Sequence, residues 1–265
     1  MADDARAVLA RWESARPANY YDANPNLRAA LRRHLGEGLA DVEERLREFG
    51  AAVAQVVDPA VARLEARRDV PAVSSSQDVA FDLAYAEAGR AVWASGVVAL
   101  PERPGAAFEQ AVLLYLLAHA GEGGHACPVV CTAGLIRALR RHGDAELRER
   151  FLPPLLDPDY DTCERGAQFL TEIQGGSDVG ANRVEAVRDG DGRWRISGEK
   201  WFCSVADADQ FVVTARPRGA PPGTAGIGCF LVPRRLPTGA NNRFLLRRLK
   251  DKLGTRALAT GEIEF

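Results

Sequence analysis

The spacing of apolar residues in the first part of the chain predicts α-helices. In the stretch DVEERLREFGAAV, the residues Val42, Leu46, Phe49 and Val53 recur at intervals of four, three and four. Such intervals place the four side chains on one face of a helix, and the charged residues between them fall largely off that face. This stretch is therefore predicted to be an amphipathic helix with its apolar face in the core.

Four more stretches have helical patterns. They are SSSQDVAFDLAYAEAGRAVWA, which begins with hydroxyl-bearing caps, the largely apolar PGAAFEQAVLLYLLAHAGEG and PVVCTAGLIRALRRHG, and the short DAELRERFLPPLL. We expect Pro153 and Pro154 to stop the last of these helices, because proline lacks the amide hydrogen that a helix interior uses. The aromatic residues, Trp93 among them, are expected to pack in the core.

Near residue 165 the pattern changes to short strand-like runs. RVEAVRDGDGRWRISG holds two such runs around Asp-Gly-Asp-Gly, which is typical of a β-hairpin, and QFVVTARP and GIGCFLVP are two more strands joined by the loop RGAPPGTA. GEIEF alternates up to Phe265, so we expect either an edge strand or a truncated chain there. The sequence thus predicts an α+β fold, with an N-terminal α-helical domain (residues 1–165) followed by a small antiparallel β-barrel-like domain (residues 166–265).

Composition sets limits on size and location. The chain has 265 residues, 46% of them hydrophobic and 26% charged, with a net charge of -2. These values suit one large domain or two of ordinary size and favour neither disorder nor a polyanion-binding surface. No run of about 18 apolar residues exists, so no membrane span is expected. The acidic N-terminus lacks the apolar segment of a signal peptide, and five cysteines without paired spacing suit a reducing compartment, so the cytoplasm is the expected location.

One cluster of potential metal ligands occurs in GGHACPVVC, where His125, Cys127 and Cys131 lie close together. The spacing is not that of a zinc knuckle, and the glutamate that follows the histidine in zinc deaminases is missing. Free cysteine is commonly a small buried hydrophobic residue. We therefore expect structural roles for these three residues and no metal.

The stretch FLTEIQGGSDVGAN, residues 169–182, carries the candidate chemistry. On its own, QGGSD is typical of a tight turn between strands. It is followed by GEKWFCS and then by RLKDKLGTR, and the three motifs in this order resemble the acyl-CoA dehydrogenase superfamily. Within it they resemble the alkylation-response (adaptive response) branch, because TEIQGGSDV replaces the commoner Thr-Glu-Pro-x-Ala-Gly-Ser-Asp pattern, KWFCS carries a Trp-Phe-x-Ser run, and CFLVPRRLPTG precedes RLKDKLGTR.

The resemblance implies the fold and the cofactor. Members of the family have an N-terminal helical domain, a middle β domain and a C-terminal four-helix domain, and this chain matches the first two. FAD lies across the β domain of the family, with the flavin edge against the loop that TEIQGGSDV forms. The expected cofactor is therefore FAD, which accepts hydride at N5. The expected cofactor contacts are, in chain order, Gln168, Phe169, Leu170, Thr171, Gly175, Gly176, Ser177, Phe202, Cys203 and Ser204.

The resemblance also implies roles for these residues. Thr171 is placed to offer its hydroxyl or amide to the isoalloxazine, Ser204 to reach N5 and Phe202 to flank the flavin ring. The two glycines permit a positive φ and a close approach of backbone amides to the pyrophosphate. Ser177 adds a hydroxyl donor for a phosphate oxygen and, in the family, a contact with the coenzyme A arm of the substrate. Residues 168–170 are expected to contact the flavin through their backbone.

The implied activity is α,β-dehydrogenation of an acyl-CoA thioester, which needs a carboxylate base for the α-proton. In this superfamily the base, and in this branch the basic DNA-binding surface, belong to the C-terminal region, which is not matched here. No residue is therefore assigned as catalytic, and this chain alone is expected to be inactive. Glu172 belongs to the flavin motif, and Asp178, Lys200 and Arg256 are expected to form charge pairs within the β domain.

Two alternatives stay open. One is a stress- or alkylation-response DNA-associated flavoprotein with little dehydrogenase activity, and the other is a non-catalytic subunit whose partner supplies the missing helices. The same flavin site also serves oxidase and monooxygenase chemistry, and these residues do not define the acyl substrate. The complete protein is expected to be a homo-oligomer, with DNA contacts only through the C-terminal region.

Overall fold

The computed structural model describes residues 4–67, 71–100, 104–121, 125–190 and 192–265. The helices lie in the first part of the chain, as predicted. They are α1 Ala5–Ser14, α2 Pro25–Leu35, α3 Ala40–Ala52, α4 Asp58–Arg67, α5 Leu83–Ala94, α6 Ala106–Leu117, α7 Ala126–His142 and α8 Ala145–Leu155. Within the described part of the chain, no helix combines the length and apolar character that a membrane crossing requires.

Helix α3 supplies the apolar face that its sequence predicts. The side chains of Val42, Leu46, Phe49 and Val53 are all buried in one core shared by the helices. The helix continues into a π-helical turn over residues 53–57, which lets it run on towards α4. Trp93 of α5 is 1% exposed and belongs to the same core, so its predicted packing role is confirmed.

The serine-rich stretch before α5 differs from the prediction. Helix α5 begins only at Leu83, capped by Asp82, and the serines form the turn of a hairpin between β1 Ala72–Val73 and β2 Val79–Ala80. The hydroxyls bind within that turn instead of capping a helix: the Ser76 hydroxyl donates to the Asp78 carboxylate at 2.6 Å, and the Asp78 amide donates to the Ser74 hydroxyl at 3.1 Å. Serine favours turns and helix caps for the same chemical reason, so the pattern alone does not separate them.

The prolines of α8 also differ from the prediction, because the helix includes both of them and ends at Leu155. A proline gives up one helical hydrogen bond, to the carbonyl four residues earlier. Here those carbonyls belong to Glu149 and Arg150, which are exposed residues that water can reach. Since the helix ends within two residues of the second proline, the cost of the missing bonds is small.

The second part of the chain is built from strands. They are β3 Gly166–Phe169, β4 Glu185–Arg188, β5 Trp194–Ser197, β6 Glu199–Ser204, β7 Gln210–Pro217, β8 Gly228–Pro233, β9 Leu245–Leu249 and β10 Thr260–Glu264. Strands β4 and β5 form the predicted antiparallel hairpin. Strands β7 and β8, which were also predicted, pair with each other in the antiparallel direction. The predicted α+β class is thus confirmed.

Strand β7 is the centre of the larger sheet. Strand β8 pairs with one of its edges, while the other edge pairs in parallel with β3 along residues 210–213 and with β4 at residues 216–217. The sheet is therefore mixed, whereas the sequence predicted an antiparallel arrangement. Parallel neighbours come from distant parts of the chain, and their pairing leaves no local turn signal.

A smaller antiparallel sheet has the order β6, β10, β9. Strand β10 lies between its two partners, so the interpretation of GEIEF as an edge strand is wrong. Strand β9 was not predicted, because the run LLRRL lacks strict alternation. Its Leu246 is nevertheless buried in the core of the β part.

Helix α7 and strand β3 pack closely where the helical and β parts meet. The Gly166 amide donates to the Thr132 hydroxyl at 3.0 Å, and the Gln168 side chain donates to the Cys131 carbonyl at 2.6 Å. A Cβ on Gly166 would lie 2.8 Å from a methyl carbon of Leu135, so a larger residue there would have to displace Leu135 or separate the helix from the strand. Strand β3 is thereby held in place as it leads to the candidate site.

Candidate functional site

A tight loop follows strand β3 and contains the QGGSD motif. The Gly175 amide donates to the Glu172 carbonyl at 3.0 Å, and the Glu172 amide donates back to the Gly175 carbonyl at 3.3 Å. The φ angle of Gly175 is 146°, a value that L-residues with a side chain rarely adopt. The first glycine of the motif is therefore required by the turn itself.

The second glycine brings the loop against Thr171. A Cβ on Gly176 would lie 2.7 Å from the Thr171 hydroxyl oxygen, which is too close for a real contact. Among the described residues, none accepts a hydrogen bond from the amides of Gly176 and Ser177 or pairs with the Thr171 hydroxyl. Gly176 and Ser177 are exposed. The loop thus presents hydrogen-bond donors that a ligand could use.

The buried side chain of Glu172 fixes this loop to the rest of the β part through hydrogen bonds. Its carboxylate is 3% exposed and accepts hydrogen bonds from the amides of Arg183 (2.6 Å) and Val184 (3.1 Å), from the Gln174 side chain (2.6 Å) and from the Lys200 ammonium (2.8 Å). Burial opposes ionisation of Glu172, but these hydrogen bonds outweigh it and keep the pKa of the carboxyl below its usual value. Glu172 is therefore an ionised structural group.

Lys200 completes the same network from strand β6. Its ammonium donates to the Leu170 carbonyl at 3.0 Å, to Glu172 at 2.8 Å and to the Thr214 hydroxyl at 3.1 Å. Burial lowers the pKa of Lys200, and the Glu172 carboxylate opposes that shift. The Leu170 carbonyl accepts a second hydrogen bond, from the Asn182 side chain at 2.7 Å. All three ammonium hydrogens thus have acceptors.

Strand β6 lies beside the loop and carries the aromatic residue of the predicted site. The Trp201 amide donates to the Thr171 carbonyl at 2.9 Å, which joins the strand to the loop. Phe202 is 52% exposed, and the Lys250 ammonium lies 4.5 Å from its ring centroid. Ser204 is half-buried, and its hydroxyl oxygen lies 3.5 Å from that of Thr260. An aromatic face and a hydroxyl are therefore available next to the donors of the loop.

The structure separates the predicted site residues into two groups. Leu170, Thr171, Ser177, Phe202 and Ser204 are exposed or half-buried. The side chains of Phe169 and Cys203 are fully buried in the core of the β part, where burial raises the pKa of the Cys203 thiol to about 12. The Gln168 side chain points to helix α7. Phe169 and Cys203 can therefore reach a ligand only through their backbone, whereas Gln168 is half-buried.

Two of the three charged residues that were expected to form charge pairs do so. Lys200 forms the buried pair with Glu172, and Arg256 forms an ion pair with Asp251 at 2.6 Å. Asp178 is exposed, and among the described residues it has no ion-pair partner.

The potential metal ligands near the start of α7 do not gather into a site. His125 is fully buried, and its Nε2 donates to the Tyr85 carbonyl at 2.7 Å. Cys127 and Cys131 lie one helical turn apart with their sulfurs 3.8 Å from each other. Among the residues that the structure describes, no three histidine, cysteine or acidic side chains come together as metal ligands.

Sequence reasoning expected a charge pair for Lys200, but it did not identify Glu172 as the partner or the part of this pair in holding the loop. Glu172 and Lys200 are 28 positions apart, and no periodicity or turn signal links them. Asn182 and Lys250 were also missed as neighbours of the site. Only the presence of a lysine and a glutamate within two otherwise apolar motifs could have suggested a buried pair, since such residues are rarely buried unless paired.

Comparison with known proteins identifies the family of both parts of the chain. Residues 12–162 match the family described as adaptive response protein AidB N-terminal domain, and residues 167–265 match the acyl-CoA dehydrogenase middle domain. The AidB protein of Escherichia coli (strain K12) is 40% identical over 153 residues, which are 54% of this chain and 27% of that protein.

Solved structures show the same fold. The apo-form of Bd2924 superposes with a TM-score of 0.83 and 28% identity, covering 93% of this chain and 52% of that one. Caenorhabditis elegans ACDH-11, solved in complex with C11-CoA, gives a TM-score of 0.83 and 26% identity, covering 92% of this chain and 44% of that one. The chain therefore spans about half the length of these structures. It belongs to the acyl-CoA dehydrogenase superfamily, in the branch of the adaptive response protein AidB.

Proposed function

We propose that this chain forms the flavin-binding part of an FAD-dependent oxidoreductase of the acyl-CoA dehydrogenase type. The observation that carries the proposal is a set of hydrogen-bond donors without partners, at Thr171, Gly176 and Ser177, beside the exposed ring of Phe202. In this proposal residues 1–165 are the helical domain and residues 166–265 are the β domain that holds the cofactor. The complete protein would be a cytoplasmic homo-oligomer.

The residues present suit a flavin dinucleotide. Exposed amides of a glycine-containing turn are the usual partners of phosphate oxygens, and Ser177 adds a hydroxyl. Because a Cβ on Gly176 would fill the space beside Thr171, the glycine keeps that hydroxyl accessible. Phe202 offers an aromatic face on which a planar ring system can pack. Bound FAD would supply the hydride acceptor, while Thr171 and Ser204 would orient the flavin through hydrogen bonds.

The substrate class in this proposal is an acyl-CoA thioester or a related small molecule. ACDH-11, which shares the fold at 26% identity, was solved with C11-CoA, and Ser177 would be the contact to the coenzyme A arm. Removal of the α-proton would need a base other than Glu172, because the Glu172 carboxylate is already committed to four hydrogen bonds. The contribution of this chain is thus to bind and orient the cofactor.

Titration of the chain with FAD tests the proposal. The double variant Ser177→Ala with Ser204→Ala should bind FAD about tenfold more weakly or worse, because each substitution removes a hydroxyl that would form a hydrogen bond with the cofactor. Ser197→Ala, at an exposed serine of strand β5, is the matched control and should bind FAD like the parent. Flavin fluorescence gives the dissociation constants. If the double variant binds FAD as tightly as the parent, the assignment of the site is wrong.

A further inference from the structure

The proposed flavin site is made of two pieces of chain that a buried ion pair joins. One piece is the loop of residues 170–178, which contains Glu172, and the other is strand β6, which contains Lys200. Lys200 precedes Phe202 by two positions and is 0% exposed, while Glu172 is 3% exposed. The pair thus connects the donors of the loop to the aromatic face of the strand.

This connection determines which backbone groups of the loop are available. The Leu170 carbonyl is occupied by Lys200 and Asn182, and the Thr171 carbonyl by the Trp201 amide. With both carbonyls turned towards the protein, the Thr171 hydroxyl has no partner among the described residues and lies against Gly176. The backbone cannot rotate without breaking several of these hydrogen bonds together.

We infer that Glu172 and Lys200 are positioning residues, which hold the loop and strand β6 in the mutual arrangement that binds the flavin. This inference rests on the proposed function and adds to it two residues that need not touch the cofactor. Binding sites require their contacting groups to be fixed within about 0.5 Å, and buried side chains with every hydrogen bond made are the means by which proteins achieve this.

A test must separate positioning from plain stability. Removing one partner alone would leave a buried charge without its counter-ion, and the chain could unfold for that reason. Replacing both partners with uncharged groups of similar size leaves no buried charge, and the protection of strands β7 and β8 then reports whether the rest of the sheet stays folded. The variant is therefore Glu172→Gln with Lys200→Met. The matched control is Glu185→Gln with Arg218→Met, which removes an exposed ion pair of 2.7 Å from the same part of the chain.

Two measurements are made on the full chain of each protein: amide hydrogen exchange, and FAD affinity by fluorescence titration. In the variant, the hydrogen-bonded amides of Glu172, Gly175 and Trp201 should exchange about tenfold faster or more. FAD should bind about tenfold more weakly, which is the effect of one lost charge-assisted hydrogen bond. The amides of strands β7 and β8 should keep the protection that they have in the parent. The control should match the parent in both measurements.

Several outcomes would overturn the inference. Unchanged exchange of the loop, or faster exchange of the loop with unchanged FAD affinity, would mean that the pair does not position the site. An equal loss of protection throughout the sheet, including complete unfolding, would mean that its role is only structural. A parent chain that binds no FAD would overturn the proposed function and the flavin part of this inference. The exchange of the loop is measured without FAD, so it tests separately whether the pair fixes the loop.

Discussion

The hydroxyl oxygen of Thr171 lies where a side chain on Gly176 would have to be, because a Cβ on that glycine would come within 2.7 Å of it. A change of Gly176→Ala must therefore push the Thr171 side chain or the loop aside. We expect FAD affinity to fall by about tenfold, since displacing the Thr171 hydroxyl removes about one hydrogen bond to the cofactor. Fluorescence titration of FAD measures the change.

Gly190→Ala is the control for this glycine. A Cβ there meets nothing within 4 Å, and the residue lies in the hairpin between β4 and β5. The control should bind FAD like the parent. If Gly176→Ala also binds like the parent, Thr171 does not take part in the site in the way proposed.

The buried histidine just before α7, His125, should make stability depend on pH. Burial lowers the pKa of His125 to about 4, and the unfolded chain has the ordinary value of about 6.5. Between these values the unfolded state binds the proton and the folded state does not, so stability falls as the pH is lowered through this window. From about pH 7.5 to about pH 5 the loss is about 2 kcal/mol, measured as the free energy of unfolding in urea.

His125→Gln isolates this contribution, because glutamine can keep a donor near the Tyr85 carbonyl but does not titrate. Asp207, whose pKa burial raises, changes stability in the opposite direction, so the quantity to compare is the difference between parent and variant. The variant should lose less stability than the parent on acidification, by about 2 kcal/mol. His142→Gln, at an exposed position, should keep the pH dependence of the parent. Equal slopes for His125→Gln and the parent would contradict the prediction.

Much of the fold could be predicted because its elements bury one face. The spacing of Val42, Leu46 and Phe49 predicts a helix whose other faces are polar, and that is how α3 packs. The parallel pairing of β3 with β7 was not predictable in this way, because the two strands are far apart in sequence and no turn joins them.

In the candidate site, too, local features could be predicted from the sequence and features that depend on packing could not. The glycine requirement at Gly175 follows from a local turn and was foreseen from the motif. The network of Glu172 and Lys200 depends on burial, which only the packed fold produces, and the interior positions of Phe169 and Cys203 depend on which face of each strand meets the core. A one-residue change of register would reverse that outcome, and the motifs alone do not define the register.

The basic run LRRLKDKLG is not expected to bind DNA in a sequence-specific manner. Arg247 pairs with Glu264 at 2.6 Å, and both Arg248 (2.7 Å) and Lys250 (2.8 Å) pair with Glu262. These carboxylates offset the positive charge of the run, which weakens its attraction for phosphate. At about 150 mM salt, where non-specific binding is weak, we expect no preference for any duplex sequence in a fluorescence anisotropy assay. Glu264→Gln should strengthen binding only at low salt, and sequence-selective binding by the parent at about 150 mM salt would contradict the prediction.

The last prediction is that residues 1–265 alone do not oxidise acyl-CoA. The reaction needs a carboxylate base, and general-base catalysis typically contributes about 10²–10⁴-fold. Two carboxylates near the motifs are already bound: Glu172 is buried with four hydrogen bonds, and Glu164 accepts a hydrogen bond from the Gln210 side chain. Glu122 lies outside the described residues.

The measurement is reduction of an artificial electron acceptor by the chain with added FAD and short or branched acyl-CoA. We expect a rate no higher than that of free FAD, because Glu172 is already committed to four hydrogen bonds and no residue of this chain is assigned as the base. An acyl-CoA dehydrogenase of known activity, assayed in parallel, controls for the reagents. Robust turnover by the chain would contradict the prediction. Glu164→Gln and Glu122→Gln would then identify the base, since a single change at the true base should remove about 10²-fold or more of the rate.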